Sequence, residues 1–330
     1  MSFLLWARRL LPRRWLRWQV QAFAGSSMGT SWSVKVCAPH RPDLPCIADA
    51  IAAVLDGVDR EMSTWRADSD LNRYNRAATP QWVVVPDACY RVVTAALLVA
   101  QQTGGAYDPT VGRLVNLWGF GPDGRRSARP EAAALTRARA DCGWQRLRCD
   151  DARRALWQPG GVCLDLSAIA KGYAVDLVCE RLQQLGIRDY LVEVGGELRA
   201  RGWRADGRPW YVAIESPGNG TELPLIGVLR DGAIATSGDY LRYFESEGRR
   251  YSHTIDPRTA EPVAHALAAV TVLHTQTMLA DAYATALSVL GADEGLAFAQ
   301  RYGIAARFVS RAAQGLAVVE SSAFARFRCA

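Results

Sequence analysis

The sequence predicts an α+β fold in which mixed, largely antiparallel sheets pack with helices. Short strand patterns follow one another in the second half of the chain without a helix between each pair, whereas a doubly wound parallel sheet would alternate strand and helix. About half of the 330 residues are apolar (49%), which is enough to bury a large core.

The first half of the chain predicts one strand followed by helices. Alternation with period two indicates a strand over 30–38, and an apolar stripe indicates a helix over 44–60. A second helix starts at Pro86 and continues to about residue 102, where two glycines end it. Residues 106–124 are rich in Gly, Pro and aromatic residues and predict an irregular stretch, and 130–141 predict a helix.

The second half contains most of the predicted strands. A strand over 162–166 leads into a helix that ends near Gln184, and the chain returns as a strand over 189–194. The remaining predicted elements are strands over 197–203, 210–216, 227–238, 249–255 and 268–274, helices over 276–291 and 293–302, and two final strands.

The positive charge of the chain is concentrated at its start. The net charge is +6, and residues 1–24 supply +5 of it through five arginines and no acid, so the rest is nearly neutral. The charge therefore gives no reason to expect nucleic-acid binding by the body. The Arg- and Trp-rich tail fits a membrane-surface or partner-docking segment, or alternatively an unordered terminus.

Targeting and cysteine patterns favour a cytoplasmic protein. Arginines and Pro12 interrupt the apolar stretch that a signal peptide needs, and no cysteine follows in a lipid-attachment position. No two of the eight cysteines have the spacing of a zinc ribbon or a redox motif, so they are expected to be reduced thiols.

The stretch VCLDLSAIAKGY (162–173) contains one of only two lysines in the chain. Ser167 is a suitable N-cap, and the free amides of a helix start favour an anion such as phosphate. Lys171 follows one turn later and could reach that anion. The alternative is an ordinary capped helix with a solvated lysine.

A second stretch, LADAYATALSVLG (279–291), places a carboxylate and a hydroxyl on one helix face. Asp281 and Thr285 are four residues apart among apolar neighbours. Oxygen ligands of this kind suit Mg²⁺ bound together with phosphate oxygens. The alternative is an exposed aspartate and a threonine bonded back to its own helix.

His253 and a set of aromatic residues are further candidates for a ligand-binding site. His253 lies at a polar strand end near Asp256, where it could act as an acid or base or could simply complete a turn. Trp65 and Tyr107 offer flat faces for a planar heterocycle, and Met28 could pack under a ring, although each could equally be a core residue.

Taken in order, these stretches resemble the FAD:protein FMN transferases, also called the ApbE family. The resemblance covers about residue 25 to near the C-terminus, which implies one domain over 25–330 after the tail. The motifs that carry it are MGTSW, MSTWRADSDLNRYN, GAYDPTVGRLVNLWGFG, LDLSAIAKGYAVD, LVEVGGELRARG, AIATSGDY, SHTIDPRT and LADAYATAL.

The resemblance implies a reaction and a set of site residues. FAD is expected in a central cleft, and its FMN half moves to a Thr or Ser of a target flavoprotein with Mg²⁺ present and AMP released. The implied metal ligands are Ala168 through its backbone, Asp281 and Thr285. His253 is the candidate proton acceptor, with Asp281 as the alternative. The implied FAD contacts are Met28, Trp65, Ala106, Tyr107, Asp108, Asp165, Lys171, His253 and Ile255.

Two departures and two competing functions accompany the resemblance. Ala260 stands where the family usually has Gly, and Glu193 stands where an amide is more usual. The same site could serve an FAD diphosphatase, in which water replaces the protein hydroxyl. A non-catalytic FAD-binding protein would not need Asp281 and Thr285 together.

Overall fold

The computed structural model describes residues 18–39, 44–214, 217, 225–239 and 242–328. The helices are α1 (Leu44–Met62), α2 (Asp70–Asn75), α3 (Asp87–Gln102), α4 (Gly112–Leu117), α5 (Ala132–Asp141), α6 (Ala170–Gln184), α7 (Thr277–Tyr302) and α8 (Ser322–Arg328). The strands are β1 (Trp18–Ser27), β2 (Thr30–Pro39), β3 (Gln81–Val84), β4 (Cys149–Asp150), β5 (Ala155–Gln158), β6 (Asp189–Val194), β7 (Glu197–Arg201), β8 (Trp210–Ile214), β9 (Leu225–Leu229), β10 (Asp231–Gly238), β11 (Tyr243–Ser246), β12 (Arg249–Ser252), β13 (Ile255–Asp256), β14 (Glu261–Pro262), β15 (Leu267–His274), β16 (Ala305–Ala312) and β17 (Gly315–Glu320).

An eight-stranded sheet organises the molecule. Its strand order is β1-β2-β6-β7-β10-β15-β16-β17, and every neighbouring pair is antiparallel. Three two-stranded sheets and the three-stranded sheet β3-β5-β4 surround it. The predicted α+β class with largely antiparallel sheets is therefore confirmed.

Helices α1, α3, α6 and α7 cover one face of the large sheet, and the main core lies between them. The other face carries a smaller core, in which Leu191, Ala200 and Ile234 from the sheet meet Trp210 and Val212 of β8. Alternate residues of each strand point to opposite faces, so one sheet supplies both cores. A third apolar cluster joins α4 and α5 to the sheet β11-β12.

The crossing of α6 and α7 is close because a glycine lies in it. A Cβ atom on Gly172 would be 2.4 Å from the Thr277 carbonyl oxygen and 2.8 Å from the Met278 Cα. Asp176 on α6 also accepts the backbone amides of Thr277 (3.1 Å) and Met278 (3.0 Å), which satisfies free donors at the start of α7. The two helices are thereby fixed against each other.

Several predicted boundaries need correction. Residues 18–24 of the predicted tail belong to β1, which pairs with β2, whereas residues 1–17 lie outside the described residues. Residues 162–166 form no strand beyond an isolated bridge from Cys163 to Val111. The two helices predicted over 276–291 and 293–302 are confirmed: α7 consists of two helical segments that meet at Gly291, whose backbone is not helical (φ 80°, ψ −178°).

The structure also contains elements that the sequence pattern did not predict: β1, α2, β3, α4, β4, β5, β11, β14 and α8. Each is short, or lies in a segment rich in polar residues or glycine, where hydrophobic periodicity gives little signal. In the described part of the chain, no helix combines the length and the apolar character needed to cross a membrane.

Candidate active site

The start of α6 differs from the prediction. The helix begins at Ala170, its N-cap is Ile169, and no side chain caps it, so the prediction that Ser167 is the N-cap is wrong. The Asp165 carboxylate instead accepts the Ser167 amide at 2.8 Å, a local bond that competes with helix formation. Lys171 therefore lies in the first turn of α6.

Lys171 forms an ion pair with a buried glutamate on β7. Its Nζ lies 2.5 Å from Oε1 of Glu197, and the two side chains are 27% and 3% exposed. Burial disfavours the ammonium, but the carboxylates of Glu197 and Asp281 outweigh this effect and raise the pKa of Lys171. Burial raises the pKa of Glu197, and the Lys171 ammonium opposes that rise.

Asp281 is buried on α7 and is held from α6. Its side chain accepts the Gly172 amide at 3.1 Å through Oδ2, and only 4% of the residue is exposed. Burial raises the pKa of Asp281, whereas Lys171 and the Gly172 amide lower it. Thr285, one turn later, is half-buried and shares a hydrogen bond of 3.0 Å with the Ser237 hydroxyl. The two residues share a helix face as predicted, and Asp281 is not the exposed aspartate of the alternative interpretation.

The donor atoms around Asp281 fit a divalent cation of the Mg²⁺ type. In the described part of the chain, Oδ1 of Asp281 makes no hydrogen bond and no amide donates to the Ala168 carbonyl, because the Gly172 amide is used by Asp281. One carboxylate, a hydroxyl and a carbonyl are hard oxygen ligands that leave room for water or phosphate. Among the described residues there is no group of three or more His, Cys, Asp or Glu side chains arranged for a metal.

Tyr107 connects this region with further acidic residues. The ring is 4% exposed, and its hydroxyl has no hydrogen-bond partner among the described residues. Burial raises the pKa of Tyr107 well above its usual value, and the nearby carboxylates of Asp281, Asp165 and Asp108 raise it further. Four of the predicted site residues therefore lie together.

The Asp108 carboxylate also stabilises the backbone around it. Its Oδ1 accepts the amide and the hydroxyl of Thr110 at 2.8 and 2.7 Å, and its Oδ2 accepts the Trp144 amide at 3.0 Å. Burial raises the pKa of Asp108 while these hydrogen bonds lower it. The carboxylate fixes the loop around Tyr107, and the predicted contact with FAD stays a prediction.

His253 follows β12 and rests on an aromatic cluster. The edge of its ring meets Phe120 at a centroid distance of 6.2 Å. Its Nδ1 lies 3.2 Å from the Arg242 carbonyl oxygen, so Nδ1 carries the hydrogen and Nε2 keeps a free lone pair. Burial, followed by the positive charge of Arg242, lowers the pKa of His253 to about 4, and Lys171 acts in the same direction. The neutral imidazole is therefore the form present near neutral pH.

The other predicted FAD contacts are more dispersed. Met28 occupies the two-residue turn between β1 and β2 with φ 52°, and Trp65 is 63% exposed on a loop. Ala106 is buried beside Tyr107, and Ile255 is buried in the aromatic cluster next to His253. The structure brings Lys171, Asp281, Tyr107, Asp165 and Asp108 together, with His253 within electrostatic range of Lys171.

The loop that carries Trp65 is held by hydrogen bonds. The Asn72 side chain donates to the carbonyls of Thr64 (2.7 Å) and Arg66 (2.8 Å), and the Ser69 hydroxyl donates to the Ser63 carbonyl (2.6 Å). An exposed aromatic ring on a fixed loop is available to stack on a planar ligand.

Sequence reasoning missed Glu197. It follows the glycine pair 195–196 at the turn from β6 to β7, and only this turn brings it against α6. The available signal was an acidic residue at the first position of an otherwise apolar and basic strand, ELRAR, directly after two glycines.

The chain is similar over most of its length to proteins of one family. The family model described as "ApbE family" matches residues 28–308. The FAD:protein FMN transferase of Vibrio cholerae is 40% identical over 306 residues, which covers 92% of this chain and 91% of the relative. The same enzyme from Haemophilus influenzae is 38% identical over 321 residues, covering 93% and 91%.

Two solved structures of flavin transferases are also similar to this chain. The crystal structure of the apo form of the Pseudomonas stutzeri flavinyl transferase ApbE is similar with a TM-score of 0.88 and 42% identity, covering 95% of this chain and 98% of that one. The flavin transferase ApbE from Vibrio cholerae has a TM-score of 0.88 at 38% identity, covering 94% and 99%. This chain belongs to the ApbE family.

Proposed function

We propose that this protein transfers the FMN half of FAD to a Thr or Ser hydroxyl of a target flavoprotein and releases AMP. The relatives that bear the name FAD:protein FMN transferase align over nearly the whole chain. The observation that carries the proposal is the arrangement of Asp281, held at 3.1 Å by the Gly172 amide, beside the ammonium of Lys171. A divalent cation held by Asp281, together with the Lys171 ammonium, would suit the paired phosphates of FAD.

The chemistry is a displacement at phosphorus. The acceptor oxygen forms a bond to the phosphorus on the riboflavin side, the bond from that phosphorus to the bridging oxygen breaks, and AMP leaves. Asp281, Thr285 and the Ala168 carbonyl would hold Mg²⁺, which supplies neutralisation of phosphate charge when bound. Lys171 stabilises negative charge on the same phosphates.

The acceptor hydroxyl must lose a proton. The free lone pair on Nε2 of His253 suits this task, because the imidazole is neutral at working pH and can accept a proton. Asp281 is the less suitable acceptor, since it is buried and already accepts an amide. Trp65, Met28 and Tyr107 are the proposed contacts of the flavin and adenine rings.

A transfer assay tests the proposal. The purified chain is incubated with FAD, Mg²⁺ and an acceptor flavoprotein domain, and the expected products are a covalently fluorescent acceptor and AMP in equal amounts. An acceptor whose target Thr or Ser is changed to Ala is the control and should stay unlabelled. Release of AMP without labelling would instead support the FAD diphosphatase, and absence of both products would contradict catalysis.

A further inference from the structure

Glu197 is a buried carboxyl group with an unusual environment. Its Oε1 contacts Lys171 Nζ at 2.5 Å, while its Oε2 is buried without a hydrogen-bond partner in the described part of the chain. Removing an ion pair of this kind from water is costly, and an apolar pair often stabilises a protein equally well. Stability therefore does not explain why the strand carries a carboxylate here.

A second carboxylate competes for the same lysine. Asp281 is bound by the amide of Gly172, the residue next to Lys171, and it raises the pKa of Lys171. Lys171 nevertheless makes its ion pair with Glu197 and none with Asp281 within the described residues. Two buried carboxylates thus surround one ammonium, and the carboxylate left unpaired is the one on α7.

The position of the Lys171 stem favours pairing with Glu197 over pairing with Asp281. A Cβ on Gly195 would lie 3.2 Å from Lys171 Cδ and 2.9 Å from Thr30 Cγ2, so the lysine stem passes directly over the turn between β6 and β7. Glu197 follows that turn and receives the ammonium at its end. The contact depends on the absence of a side chain at position 195.

We propose that Glu197 is a positioning residue that holds the Lys171 ammonium away from Asp281, so that the Asp281 carboxylate stays open to a divalent cation. The inference rests on the proposed function, because it assigns Asp281 to the cation. Without Glu197, Lys171 would pair with Asp281, and a cation would have to displace the ammonium before binding.

The test measures binding of Mn²⁺ to the full chain without FAD, by the EPR signal of free Mn²⁺. We expect Glu197→Gln to weaken Mn²⁺ binding by about tenfold, since the lysine charge then opposes the cation at short range. Lys171→Met alone should bind Mn²⁺ at least as tightly as the wild type. The double variant Glu197→Gln/Lys171→Met should recover wild-type affinity, although it lacks the lysine needed for transfer.

Each outcome decides the matter. Unchanged affinity in Glu197→Gln would overturn the inference while leaving the cation site in place. Equal weakening in the single and double variants would also overturn it, because a merely structural role of Glu197 predicts no rescue by removing Lys171. If the wild type itself binds no Mn²⁺, the cation site of the proposed function fails, and the inference fails with it. Thermal unfolding of all four proteins shows whether they are comparably folded.

Discussion

The two ends of the candidate site are built in different ways. At the charged end, Lys171, Glu197 and Asp281 come from two helices and a strand of the large sheet; Lys171 pairs with Glu197, and Asp281 accepts the Gly172 amide. At the neutral end, His253 follows a two-stranded sheet, rests on aromatic rings and, within the described residues, bonds to the Arg242 carbonyl. The charged end is held by packed helices and a central strand, whereas the neutral end carries an uncharged imidazole on a peripheral sheet.

The largest expected effect comes from removing the carboxylate of the charged end. We expect Asp281→Ala to lower the single-turnover rate of AMP release by about 10³-fold, because it removes the ligand of the proposed cation, and stabilisation of developing charge contributes on this scale. The loss corresponds to about 4 kcal/mol of transition-state stabilisation. Mg²⁺ should no longer stimulate the residual rate.

Asp176→Asn is the matched control for Asp281→Ala. Asp176 is also a buried carboxylate between α6 and α7, but it accepts the amides at the start of α7 and pairs with Arg199. Its replacement should lower the free energy of unfolding by about 2 kcal/mol and leave the rate per folded molecule near that of the wild type. Equal loss of rate in both variants would mean that Asp281 acts only through folding.

The next largest effect on rate is expected at the neutral end, from replacement of His253. His253→Asn should lower the rate of transfer by about 10²-fold, the usual contribution of a general base. Because the folded-state pKa of His253 is lowered from 6.5 to about 4, the wild-type rate should show no loss from this group as pH falls through 6.5. The loss should appear only near pH 4, and it should be absent from the profile of the variant.

The lowered pKa of His253 also predicts how the stability of the protein depends on pH. Between pH 6.5 and about 4 the unfolded chain binds a proton at this histidine and the folded chain does not, so the wild type loses stability as pH falls through that window. The unfolding midpoint of His253→Asn should fall less steeply over this range. Parallel midpoints of the two proteins would show that His253 titrates normally.

The sequence predicted the parts of the site that depend on local spacing. Asp281 and Thr285 share a helix face because four residues make about one turn, and the helix itself was clear from its apolar pattern. Tyr107 was singled out as a flat aromatic face, whereas Asp108 was found only through the family motif, since the stretch around it has no regular period. The α+β class followed from the succession of strands.

The sequence could not predict contacts that need the tertiary fold. Glu197 acquires its role only when β7 lies against α6, which no local pattern shows. Ser167 was predicted to cap the helix. Its amide instead donates to the Asp165 carboxylate, and the helix begins three residues later, at Ala170.

A further prediction concerns the close crossing of α6 and α7 at Gly172. Gly172→Ala should lower the free energy of unfolding by about 2 kcal/mol, because the new methyl group meets backbone atoms of α7 that cannot move alone. Chemical denaturation measures this loss, and Mn²⁺ affinity should fall as well, since the Gly172 amide holds Asp281. Gly57→Ala in α1 is the control, because its nearest neighbour is a flexible arginine tip at 4.0 Å. That variant should gain about 1 kcal/mol from helix propensity, and a similar gain in Gly172→Ala would disprove the close crossing.

The smallest expected effect lies at the neutral end, in the turn after β13. Ala260 adopts φ 64°, a left-handed conformation that glycine adopts without strain, and its carbonyl accepts the Trp118 indole N–H at 3.0 Å. Alanine therefore holds a turn conformation that favours glycine. Ala260→Gly should relieve about 1–2 kcal/mol of strain and lose about 0.8 kcal/mol from one buried methyl group. A net gain of about 0.5 kcal/mol in unfolding free energy is expected from these two terms. Ala260→Val should destabilise the protein, because a β-branched side chain tolerates this conformation poorly. A loss of stability in Ala260→Gly would show that packing of the methyl group in the aromatic cluster, rather than backbone strain, governs this turn and with it the support beneath His253.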